Sequence, residues 1–177
     1  MQICTSFALT FENRHRRRTS DTRGFPSHHK AQRLGLGQIA GGDRFISLFY
    51  GKLRPGTRSL EYTNAGHNPP LVIRGGQDPI PLDKGGPVLG VVPGSRYETE
   101  QIDLRTGDVL VLFTDGVVEA QNPAGEEYSA KRLASIVSSH LQRSAGELIE
   151  TIRASVTEFR GTPALADDLT LVVLKIL

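Results

Sequence analysis

The run Asp108-Val109-Leu110-Val111-Leu112-Phe113-Thr114-Asp115-Gly116-Val117 is almost wholly apolar until it ends on a carboxylate and a glycine. Its β-branched and aromatic side chains, opened by Gly107-Asp108, predict a buried strand. A buried strand should not end on an unpaired carboxylate, because an isolated charge taken out of water is strongly destabilising unless it is paired or metal-bound. Gly116 lets the backbone turn sharply and leaves room beside the acid. Asp115 is therefore placed to face something cationic. Taken alone, Asp115-Gly116 reads better as a hairpin turn. A second stretch of the same design favours the cationic reading: in Ala166-Asp167-Asp168-Leu169-Thr170-Leu171-Val172-Val173-Leu174, acids open another apolar strand.

Downstream of Asp115 the hydrophobic period changes from two to 3.6. Asn122-Pro123-Ala124-Gly125 predicts a turn, and Ala130, Leu133, Ala134, Ile136, Val137 and Leu141 then mark an amphipathic helix capped by Ser129. Ser144-Ala145-Gly146-Glu147 has the spacing of a capping box and opens a second helix, with Leu148, Ile149, Ile152, Val156 and Phe159 along one face and Gly161-Thr162-Pro163 at its end. Leu169 to Ile176 is a returning strand. Upstream, Arg44 to Leu53 and Ser59 to Ala65 flank the turn residues Arg54-Pro55-Gly56-Thr57, which predicts an antiparallel hairpin. The loop Asn64-Ala65-Gly66-His67-Asn68-Pro69-Pro70 follows, its prolines fixing the exit into Leu71-Val72-Ile73-Arg74. Pro79-Ile80-Pro81-Leu82 is at most a short edge strand, and Tyr97 to Leu104 alternates as another strand. Gly85-Gly86-Pro87-Val88-Leu89-Gly90-Val91 is glycine-rich, but no Gly-Lys-Ser/Thr follows, so it is not a phosphate-cradling loop. Strands, then a helix pair, then a strand define an α+β class: antiparallel sheets with helices packed on a face.

With 177 residues, the chain is the size of one domain with a real core. A single cysteine, Cys4, excludes an intrachain disulfide and a thiolate zinc site. Neither a bilayer-length apolar run nor the apolar region of a signal peptide is found, and the expected location is cytoplasmic. Net charge is unevenly spread. Residues 1–34 carry seven Lys or Arg against two acids, whereas the remainder has 14 basic and 17 acidic residues. The polar, turn-rich composition of this leader predicts poor order over residues 1–42, with the folded part spanning 43–177. No aromatic residues interleave with Arg14 to Arg18 and no helical period carries them, so a nucleic-acid partner is not expected. His28 and His29 are adjacent and would not share a helix face; no metal role is assigned to them.

From about Asp43 onward, five blocks occur in one order: Phe45-Ile46-Ser47-Leu48-Phe49-Tyr50-Gly51, Asn64 to Pro70, Gly86-Pro87-Val88-Leu89-Gly90, Gly107 to Ala120, and Ala166 to Leu174. Together they resemble the SpoIIE/RsbU type of metal-dependent serine/threonine protein phosphatase, which is type 2C-like. The resemblance implies two antiparallel sheets flanked by helices, and two divalent ions, manganese or magnesium, held by strand-end aspartates. It assigns Asp115 and Asp167 as catalytic metal ligands, with Gly116 and Asp168 beside them in the metal set. Hard divalent ions take carboxylate oxygens, which agrees with the reading of Asp115 from its own strand. Asn64 and His67 fall in a family signature. They either hold the loop through hydrogen bonds or act on substrate, His67 as proton donor to the leaving oxygen. The implied partner is a phosphorylated protein, such as an anti-sigma-factor antagonist in a bacterial switch.

The sequence departs from the family pattern at its start. Neither a Gly-Gly-Asp-Phe-Tyr-Asp-like strand nor a Gly-Asp-Val-x-Gly-x-Gly-like strand, the family's sources of further metal aspartates, is found, and Gly41-Gly42-Asp43 abuts the Phe45 block instead of preceding it by many residues. The expectation is a C-terminal portion of the catalytic domain with an impaired metal site. The alternative is a catalytically silent remnant that binds a partner. Sheet edges left exposed would favour association.

Overall fold

The computed structural model describes residues 2–11, 44–92, 94–161 and 169–177. The chain divides into two compact units, Met1–Pro69 with Leu82–Leu104 and Pro70–Pro81 with Arg105–Leu177.

The first unit is built on the expected hairpin. β2 (Arg44–Arg54) and β3 (Ser59–Ala65) pair antiparallel, Leu48 opposite Ala65 and Arg54 opposite Ser59. The register stacks the rings of Phe49 and Tyr62 at 5.7 Å and sets Arg54 and Glu61 in a 3.0 Å ion pair. Phe49, Leu60 and Tyr62 are buried. Burial and a hydrogen bond to the Glu100 carboxylate hold the Tyr62 phenol well above its usual range, so it stays a donor. On its other side β3 takes β6 (Gly85–Gly86), parallel, and β7 (Glu100–Asp103), antiparallel.

Against β2's free side lies β1 (Gln2–Phe11), parallel, running from Gln2 opposite Arg44 to Phe11 opposite Leu53. This strand lies within residues 1–42, for which the sequence predicts poor order. Apolar or β-branched residues at Ile3, Thr5, Phe7, Leu9 and Phe11 carry a period of two, which the neighbouring arginine cluster outweighed in the sequence reading. The rest of the leader, residues 12–43, lies outside the described residues. The sheet is thus mixed, with two parallel pairings beside its antiparallel ones.

The second unit is an antiparallel sheet in the order β5 (Ile80–Pro81), β4 (Leu71–Ile73), β8 (Val109–Phe113), β9 (Leu171–Lys175). All five residues of β8 are buried, as expected of the apolar run. Leu71, Val109, Val111 and Phe113 share a core with Leu133, Ala134 and Val137 of α2 (Ser129–Ser138) and with Leu148, Ile152 and Val156 of α3 (Ala145–Arg160). A short α1 (Asp115–Val118) adds Val117 to it.

The helix ends follow local chemistry. Ser129 sits at φ 70°, and its Oγ accepts from the Arg132 amide at 3.4 Å. At α3 the Glu147 amide donates to Ser144 Oγ at 3.3 Å while the Ser144 amide donates to Glu147 Oε2 at 2.8 Å, the reciprocal box read from the sequence. The helix stops at Gly161, whose φ of 68° suits a residue without Cβ. Ser144→Ala removes one half of the box and should lower unfolding free energy by ~1 kcal/mol in urea titration. The Ser144 hydroxyl and amide hold the Glu147 carboxyl below its usual range. The stabilisation is therefore present above the ordinary glutamate pKa and is lost as pH falls through the lowered one.

Candidate functional site

At the C-terminal end of β8 the ladder continues one residue past the strands. The Thr114 amide donates to Thr170 O at 3.1 Å, and the Thr170 amide donates to Thr114 Oγ1 at 3.1 Å. This two-bond latch ties the end of β8 to the start of β9. The sequence reading passed over Thr114, whose hydroxyl accepts from the distant Thr170 amide and does not cap α1.

Beyond the latch the chain enters α1 instead of a hairpin turn. The Val117 amide donates to Thr114 O at 3.1 Å and the Glu119 amide to Asp115 O at 2.8 Å, while the buried Val117 pins the turn to the core. Asp115 is half-buried, and its Oδ1 accepts from the Gly116 amide at 3.0 Å. Among the described residues no cationic side chain pairs with it. A fixed carboxylate with an open oxygen and no protein cation fits a divalent ion as one hard-oxygen ligand. Asp167 and Asp168 lie outside the described residues, and among the described ones no three His, Cys, Asp or Glu side chains gather into a metal cluster.

Asn64 to Pro69 of the loop belong to the first unit. Asn64 and His67 are both buried and brought together: Asn64 Nδ2 donates to His67 O at 2.9 Å and to Leu82 O at 3.2 Å, and Asn64 Oδ1 accepts from the His67 amide at 2.7 Å. His67 Nδ1 lies 2.7 Å from Asn68 O. A carbonyl only accepts, so Nδ1 carries the proton of the neutral ring, and a proton given from Nε2 would have to come from the imidazolium. The side chains thus act as struts of the loop. Its glycine is required: Gly66 sits at φ 68°, and a Cβ there would fall 2.4 Å from Val88 Cγ2 and 3.0 Å from the Val88 amide. Gly85 is more tightly constrained, because its Cβ would lie 1.7 Å from Asn64 O.

A polar feature missed in the sequence lies at the other end of β8. Asp108, read there as the opening of the apolar strand, is 3% exposed. Its carboxylate accepts from Arg74 Nε at 3.0 and 3.1 Å and from the Arg105 amide at 2.8 Å. Arg74 was legible only as the end of a strand, because its partner is distant in sequence.

The fold is shared with solved phosphatase domains of the PP2C type. Residues 26–177 match the family described as Stage II sporulation protein E (SpoIIE), and the chain belongs to that family. The match begins inside the stretch read as a leader. The chain is similar to phosphoserine phosphatase RsbU of Bacillus subtilis, with 30% identity over 132 residues, 74% of this chain and 39% of that one. Among solved structures it is similar to the SiaA-PP2C domain of Pseudomonas aeruginosa, with a TM-score of 0.58 at 21% identity, covering 67% of this chain and 47% of that one. It is also similar to the manganese-presoaked phosphatase domain of SpoIIE from Bacillus subtilis, with a TM-score of 0.57 at 18% identity, covering 73% of this chain and 56% of that one. At these identities the structural likeness establishes the fold. The chain spans 20 to 39% of the length of the curated relatives it matches. Among the described residues no helix is long and apolar enough to cross a membrane.

Proposed function

We propose that this chain carries the later part of a divalent-metal-dependent phosphoserine/phosphothreonine protein phosphatase site, with Asp115 and Asp167 as metal ligands and Gly116 and Asp168 completing their surroundings. The observation that carries this reading is the latch between Thr114 and Thr170. Asp115 follows Thr114 directly in the sequence, and Asp167 and Asp168 precede Thr170 by three and two residues. The support it lends is that the two sequence segments carrying these acids adjoin strands paired in one sheet. Manganese or magnesium bound there would supply an activated water and charge stabilisation at a phosphoryl group. The chain's own contribution is to fix Asp115 through the Gly116 amide and the buried Val117, and to keep β9 in register beside it.

The substrate in this proposal is a phosphorylated switch protein, such as an anti-sigma-factor antagonist, in the cytoplasm. Its support is the similarity to the phosphatase RsbU and the membership of the SpoIIE family. The proposal includes impairment of the 177-residue polypeptide, because the family-matched acids it contains are Asp115, Asp167 and Asp168. A second reading, a silent domain that binds its partner without turnover, is favoured by the same short set of ligands.

The metal half is tested by calorimetric titration. With few protein ligands and water filling the remainder, Mn2+ should bind with Kd of ~0.1–1 mM, in the range of weak hard-ion sites. Asp115→Asn should weaken it severalfold or abolish it. Equal binding by both proteins would remove Asp115 from the site.

A further inference from the structure

An open cleft of about 340 Å³ lies in the second unit, where the β4–β5 turn, the β7–β8 turn, the α2–α3 connection and the end of β9 meet. Its lining includes Arg74, Gln77, Arg105, Thr106, Gln142 and Lys175. It sits beside Asp108, at the opposite end of β8 from Asp115. Six strand steps of ~3.3 Å from Asp108 to Thr114, the residue before Asp115, span about 20 Å.

We propose that this cleft is a phosphate-binding site, separate from the metal site, for a small phosphate-bearing molecule. Charge is the first argument. Arg74, Arg105 and Lys175 bring three positive charges against the single carboxylate of Asp108. Asp108 is committed to Arg74 Nε and the Arg105 amide, which leaves the cleft a surplus of two positive charges. The second argument is the supply of donors. Lys175 Nζ donates to Leu141 O at 2.7 Å and to Arg143 O at 2.8 Å, which fixes its position and leaves its third proton for a ligand. Arg105 is exposed, and among the described residues its guanidinium has no partner. The side chains of Gln77, Thr106 and Gln142 are likewise without protein partners among the described residues. Donors thus converge from four chain segments. That suits a tetrahedral oxyanion, whose oxygens accept from several directions, and an arginine fork adds two parallel bonds to one face. The volume exceeds that of a lone phosphate and leaves room for an organic group or a second phosphate.

The test uses the full chain in EDTA, so that no divalent ion contributes, with inorganic phosphate, pyrophosphate and a mononucleotide titrated in separate arms. Binding should appear in at least one arm, and the arms distinguish free phosphate from a phosphate ester. Arg105→Gln should weaken it about tenfold, the scale of one charge-assisted hydrogen bond. Arg105→Lys should restore part of it, whereas Asp115→Asn and the distant surface variant Arg153→Gln should leave it unchanged. The Arg105 side chain makes no bond within the described fold, so the thermal midpoint of Arg105→Gln should match the parent. Absence of binding in every arm up to about 10 mM, well above the weak range of such sites, would overturn the proposal. So would equal binding by Arg105→Gln, or loss of binding in Asp115→Asn.

Discussion

Purified as a 177-residue polypeptide and supplied with Mn2+, the protein should hydrolyse para-nitrophenyl phosphate at or barely above background. The acids proposed as metal ligands are Asp115, Asp167 and Asp168. Metal stabilisation of phosphoryl transfer contributes several kcal/mol, and each ~1.4 kcal/mol is a factor of ten in rate. A short ligand set should therefore cost orders of magnitude and not a factor of two. Supplying the family's earlier aspartate-bearing strands in cis from a SpoIIE relative should raise turnover by those orders of magnitude, and Asp115→Asn in that fusion should abolish it. Strong Mn2+-dependent turnover by the 177-residue chain, lost in Asp115→Asn, would refute the impaired reading while keeping Asp115 in its role.

The second large effect is on stability. Asp108→Ala should lower the unfolding free energy by about 3–5 kcal/mol, because it leaves the nearly buried Arg74 guanidinium without its counter-charge. The two side chains are 11% and 4% exposed. The Arg105 amide also loses its acceptor. Against a typical total of ~5–15 kcal/mol, such a loss would leave the unit marginal at 37 °C. Exchanging both partners for apolar residues, Arg74→Met with Asp108→Leu, should recover all but about 1 kcal/mol, the residue of the unpaired amide. Urea titration reads both. A single-variant loss below ~1 kcal/mol would show that solvent screens the pair.

What was legible in the sequence was local. The five apolar residues of β8, the Ser144–Glu147 box and the glycine after α3 each carry their signal within one turn or one strand, and each is found where the pattern put it. What was not legible depended on a distant partner or on a missing side chain. Asp108 read only as the opening of a strand until Arg74 was brought against it. β6 consists of Gly85 and Gly86, which have no side-chain period, and only the close approach to Asn64 makes it a strand. β1 has the right alternation but pairs in parallel, so no hairpin turn announces it. At the candidate site, the sequence marked Asp115 as the acid of interest. It did not show that Thr114 ties β8 to β9, because a hydroxyl bonding to a backbone amide 56 residues away leaves no local trace.

The burial of β8 also has a consequence for how the chain is made. Its ladder partners are Leu71 to Ile73, synthesised well before it, and Leu171 to Lys175, synthesised well after. Pairings of such long range form slowly, because loop closure comes before the contacts that reward it. Until β9 emerges, one side of an entirely apolar strand presents unbonded amides and carbonyls, a template for any other extended chain nearby. The interval between translating Phe113 and docking Leu171 is therefore when this protein is most exposed to aggregation. A slow codon or a pause within α3 would lengthen that interval without altering any residue of the finished fold.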